Sequence, residues 1–247
     1  MAIGYHADTE TRARQGGRAA PAPSEPSPRA RLTGAALIAC GVASVALLAG
    51  HPDAGGSPLL ADVLRSEAAE AGADALVHGG FVLVLTVELV GFAALAVRVG
   101  PRRTSVLAAM LFALIGSGLL AASMVVDGLI TPAVAARYAA APAAKQEGAR
   151  GLLVLIGAAI SVLMPMGLAF LGAAALSWGA TLAPMRGAAR LGGVAALALG
   201  AVALAGAGAG VTAAGMTGLL VALLASAAWA AAAGVLLLRW PVDAPGA

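Results

Sequence analysis

Six apolar stretches dominate this chain, each close to the ~20 residues an α-helix needs to cross ~30 Å of hydrocarbon. They fall at about 32–50, 75–97, 104–126, 151–177, 191–210 and 216–238. Lipid offers no water to backbone N–H and C=O groups, so segments of this kind must satisfy their hydrogen bonds internally, as helices. The expected fold is therefore all-α: a polytopic integral membrane protein built as a six-helix transmembrane bundle over residues 32–240. Composition agrees, with 60% hydrophobic and 11% charged residues and a mean hydropathy of +0.92. A soluble globular domain carries roughly a quarter charged residues.

The net charge of +3 and pI near 9.7 do not point to nucleic acid, because the basic residues are sorted by side. With the N-terminus inside, that face holds Arg12, Arg14, Arg18, Arg29, Arg31, Arg98, Arg102, Arg103, Arg186, Arg190 and Arg239. The other face holds Arg65, Arg137, Lys145 and Arg150 among seven acids. An excess of Arg and Lys on the cytoplasmic side is the usual topogenic signal. Both termini are then cytoplasmic, and the Ala-, Gly- and Arg-rich composition fits a bacterial inner (plasma) membrane. Trp178 and Trp240 fall at the inner ends of the fourth and sixth helices, where interfacial aromatic anchors belong.

Residues 1–31 are rich in Pro, Ala, Gly and Arg without periodicity and read as a disordered tail; residues 241–247 form a short C-terminal tail. Two outer loops carry helix signals of their own. Ser57 and Pro58 introduce an amphipathic run, and Thr131-Pro132 opens another that stops before Pro142. Both are expected to lie along the outer membrane surface. Cys40 is the single cysteine, which excludes an intramolecular disulfide or a thiolate cage. The apolar run continues past it, so it reads as a buried small hydrophobe rather than a lipidation site.

Hydrolase, phosphate-binding and dinucleotide motifs are absent. The chain does not read as an enzyme, and no cofactor is implied. Small residues recur four apart, as in Gly118 with Ala122 and Gly157 with Ser161, a spacing that lets membrane helices approach closely.

The chemistry concentrates in two places. Glu88 lies mid-way along the second apolar stretch, where a charge costs about 2.5–3.5 kcal/mol on insertion scales, so an inward face is expected. No Lys or Arg falls within a span. Ser44, Ser117, Ser161 and Ser226 lie at similar depth and are the expected hydroxyl partners, with Pro165 freeing a carbonyl near Ser161. Without a cation, burial favours a neutral, protonatable carboxyl. The second place is the outer interface, where His51, Asp74, His78 and Asp127 end or begin successive helices; Asp74 and His78, four apart, share a face. Two His and several carboxylates are metal-ligand chemistry, but they come from three segments without a local spacing motif. They read as polar residues capping helix ends, with no metal ligand set assigned.

Two functions fit this pattern. One is a small transporter or permease-like protein that moves an unknown small solute, using Glu88 as a protonatable site. The alternative is a non-catalytic scaffold or accessory subunit that binds a membrane protein partner. Apart from the lipid bilayer, no partner is written in the residues, and no nucleic acid is expected.

Overall fold

The computed structural model describes residues 27–51, 59–212 and 215–240. Among these, every regular element is helical: α1 Pro28–Ala49, α2 Leu60–Val99, α3 Thr104–Val125, α4 Thr131–Tyr138, α5 Ala143–Leu182, α6 Ala188–Gly210 and α7 Gly215–Arg239. A π-helical turn, Val126–Ile130, joins α3 to α4. Counting α3 to α4 as one continuous rod, six helices are long and apolar enough to cross a membrane.

Helix boundaries follow local chemistry. Ser27 caps α1, its hydroxyl accepting from the Ala30 amide at 3.2 Å, and Pro28 occupies the first turn, where its missing N–H costs nothing. The helix thus begins inside the stretch expected to be a tail; residues 1–26 and 241–247 lie outside the described residues. Gly100, with φ of 112°, ends α2 and starts the turn into α3. Such a backbone conformation favours glycine.

The bundle is a closed ring. α1 packs on α2, α2 on α3, α3 on α5, α5 on α6, α6 on α7, and α7 returns to α1. Its tightest seams are made of glycine: a Cβ on Gly34 would lie 2.7 Å from the Gly234 carbonyl oxygen, and one on Gly116 would lie 2.8 Å from that of Gly167. Close backbone approach of this kind drives association where apolar burial gives no net advantage. By contrast Gly118 and Gly157 have nothing within 4 Å of that position, so the small-residue spacings Gly118–Ala122 and Gly157–Ser161 form no seam within the chain. Closure through α1 and α7 brings Pro28 and Arg239 to one end of the bundle.

The core at that end is built from Leu37, Phe92, Leu95, Trp178, Trp229 and Leu236 with their neighbours; Phe92 and Trp229 stack with centroids 6.2 Å apart. Neither Trp178 nor Trp240 is an interfacial anchor as expected. Trp178 is fully enclosed, because its position seven residues after Leu171 places it on the same inward stripe of α5. Trp240 is also buried and lies 5.8 Å from the Arg98 guanidinium, which donates to its carbonyl oxygen.

The largest difference from expectation is at the opposite end. α2 and α5 each run 40 residues, about 60 Å at 1.5 Å per residue and twice the hydrocarbon thickness. The first outer-loop helix is therefore not a separate element, and the second, α4, packs against its continuation in α2. The segment from Leu60 continues straight into α2, and Leu64, Ala135 and Ala149 bury one another with Leu60, Tyr138 and Leu153 around them. Apolar faces too small to be stable alone are covered by each other, forming a three-helix cap of α2, α4 and the start of α5. Ser57 and Pro58 lie outside the described residues.

On α2, Leu76, Leu83, Val90 and Val97, seven residues apart, are exposed. Phe81, Val84, Leu85, Glu88, Gly91, Phe92 and Leu95 on the other side are buried. Large apolar side chains ring the outside of the bundle in the same way. Water would penalise such a surface and lipid would not. The fold fits a multi-pass α-helical membrane protein.

Candidate functional site

Glu88 faces the interior, 8% exposed. Antiparallel register fixes its neighbours. Leu37 fills the space against Gly91, and Leu47 that against Gly80, so counting in opposite directions sets Cys40 of α1 beside Glu88. Cys40 is buried. On the other side His78 meets Asp127, and ten residues further down each helix Ser117 of α3 comes level with Glu88. Ser117 is also buried.

The expected hydroxyl shell does not form. Ser44 donates to the Cys40 carbonyl at 3.0 Å, and Ser226 to that of Ala222 at 2.9 Å. Ser161 is exposed and donates to the Ala158 carbonyl at 2.8 Å. Each hydroxyl closes on its own helix, where a carbonyl one turn back is always within reach. The Glu88 carboxyl makes no hydrogen bond with any described residue, and no Lys or Arg pairs with it. Pro165 sits buried in α5 while the helix runs on through it.

The outer-face residues, in contrast, converge. His78 is 2% exposed. Its Nδ1 lies 2.9 Å from the Asp74 carbonyl oxygen, which can only accept, so Nδ1 carries the proton and Nε2 is left facing the Asp127 carboxylate at 3.2 Å. The His51 ring stands edge-on to that of His78, centroids 5.0 Å apart. One donor atom each from His51, Asp74 and His78 lies within 4.8 Å of the others.

The π turn makes this arrangement. It widens the helix by one residue where Asp127 must reach across to α2, a device common at functional positions. Thr131 stabilises it by donating to the Val126 carbonyl at 3.0 Å. Gly128 lies directly against the His78 ring, and any Cβ there would strike the imidazole. Glu67, two turns above Asp74, joins the cluster electrostatically. Burial in the cap pushes its carboxyl above the usual range, Asp74, Asp127 and Glu70 push the same way, and His51 opposes them.

Cys40, Gly128 and Glu67 were not among the sequence candidates. The glycine following Asp127 in "VVDGLITP" was a readable sign of close approach; the pairing of Cys40 with Glu88 depends on which helices touch, and no local pattern encodes it. No family model, curated protein or solved structure matches this chain.

Proposed function

We propose that this protein is a small transporter of the bacterial inner membrane, with both termini cytoplasmic, in which Glu88 takes up and releases a proton. The observation that carries the reading is a buried carboxyl, midway along the apolar part of α2, with neither hydrogen-bond partner nor counter-ion among the described residues. A glutamic acid kept only to pin helix register needs hydrogen bonds to do so; Ser44, Ser161 and Ser226 are bonded to their own helices, and Ser117, level with Glu88, makes no hydrogen bond to it. A costly group with no structural return is one whose use lies in exchange. Ser117 and Cys40 flank it, and the His–Asp cluster sits about 15 Å further out along α2, at the side from which a proton or solute would enter.

The test is flux in proteoliposomes containing the purified chain and a trapped pH indicator. Wild type should carry protons down an imposed gradient, and Glu88→Gln should abolish that flux while melting like wild type. Equal flux in both would end the reading.

The alternative, an accessory subunit that binds a partner, has one observation in its favour. Gly148, Gly151 and Gly157 on the outer half of α5 have no neighbour within 4 Å of a Cβ position, leaving that face open to close approach by another helix. Cysteines placed at Gly151 and Gly157 would cross-link to a partner in native membranes under this alternative and stay monomeric under the first.

A further inference from the structure

We propose that His51, Asp74, His78 and Asp127 form a binding site for one divalent transition-metal ion of the zinc type. The chemistry begins with His78. Its Nδ1 proton is committed to the Asp74 carbonyl, the outer-shell hydrogen bond that orients most metal-bound imidazoles and leaves Nε2 as the ligand atom. That Nε2 faces a carboxylate oxygen, a contact that holds only with a proton or a metal cation between the two atoms. Two ligands on a tetrahedral zinc, with bonds of about 2.0–2.2 Å, stand roughly 3.3 Å apart. The observed separation is 3.2 Å.

The rest of the donor set fits the same ion. Two imidazoles with two carboxylates are borderline ligands that suit zinc better than magnesium or calcium. Among the described residues neither Asp74 nor Asp127 is paired with Arg or Lys; Arg65 pairs with Asp62 and Arg150 with Glu147. Glu67 and Glu70 add negative charge around the cluster. The three donors of His51, Asp74 and His78 spread up to 4.8 Å, wider than a closed tetrahedron. Metal entry draws in His51, which stands exposed at the end of α1, whereas His78 is held by Asp74 and by Gly128. The site thus has a fixed half on α2 and the π turn and a closing half on α1.

This site does not depend on proton exchange at Glu88, and the experiment separates the two. The full-length protein in nanodiscs, stripped with chelator, is titrated calorimetrically with zinc sulfate. The expected result is one Zn²⁺ per chain, displaced by no excess of Mg²⁺. His51→Ala and Asp127→Asn should each weaken binding by roughly tenfold to a hundredfold, the usual range for such partners. His51 is exposed, so its replacement leaves the fold intact, as tryptophan fluorescence would verify. X-ray absorption should show nitrogen and oxygen ligands without sulfur. Absence of saturable zinc binding, or unchanged affinity in both variants, overturns the proposal and leaves His78 and Asp127 as a protonated ion pair. Zinc binding that persists in Glu88→Gln leaves the site standing whatever happens to proton flux.

Discussion

At the scale of single residues, Glu88 is a buried polar group that stability does not explain, and Gly128 is a glycine whose place a side chain cannot take without striking His78. Glu88 forms no hydrogen bond, so Glu88→Leu should leave the melting temperature unchanged or raise it, since a buried polar group without partners costs free energy. A marked drop would mean the carboxyl has a structural partner. Gly128→Ala forces a Cβ into the His78 imidazole and should cost about 1–3 kcal/mol, as overpacking typically does. Gly118→Ala, with open space around it, should be neutral or slightly stabilising through helix propensity. Thermal melts of the two variants decide this. Glu67 gives a pH signature. Its pKa is raised on folding, so the native state binds more protons than the unfolded one between the ordinary Glu value near about 4.3 and the raised one, and stability falls as pH rises through that window. Glu67→Gln should therefore stabilise the metal-free protein at pH 7, with the difference shrinking as the pH approaches 4. The depth of Glu88 and the company of Asp74 and His78 were legible from spacing alone, whereas the choice of each serine hydroxyl was not. A helix always presents its own carbonyls to a serine, and that local option prevailed over any partner across the bundle.

At the scale of elements, the apolar runs located the six helices long and apolar enough to cross a membrane, because a stretch of that hydropathy has no other stable form in lipid. What they missed was how far α2 and α5 continue. The charged segment between Leu60 and Asp74 lacks the hydropathy of a span, yet Leu64 buries against Ala135 and Ala149, and this small core carries the helix on beyond its apolar part. Leu64→Ala should remove about 2–5 kcal/mol from the cap. Hydrogen exchange would then speed up in α4 and the outer turns of α2 while the Trp178 and Trp229 core keeps its protection. Uniform acceleration through all helices would show instead that cap and bundle unfold as one unit.

At the scale of the whole molecule, a ring closed between α1 and α7 holds an orphaned carboxyl at mid-depth below a histidine–carboxylate cluster at one mouth. Ring order was not readable from the chain. The glycine seams that set it, Gly34 with Gly234 and Gly116 with Gly167, are a few among many similar spacings in a sequence with 33 glycines. Orientation was argued from arginine placement, and cysteines introduced at Ala2 and Ala247 should react with a membrane-impermeant reagent only after the cells are opened. The decisive question is whether the interior carboxyl communicates with water. Infrared difference spectroscopy of the protein in lipid, wild type minus Glu88→Gln, isolates the carbonyl stretch of a protonated carboxyl. A band that shifts promptly on transfer to D₂O and whose amplitude follows the outer pH is the expected result; a band that neither exchanges nor responds to pH would contradict a proton-exchanging Glu88.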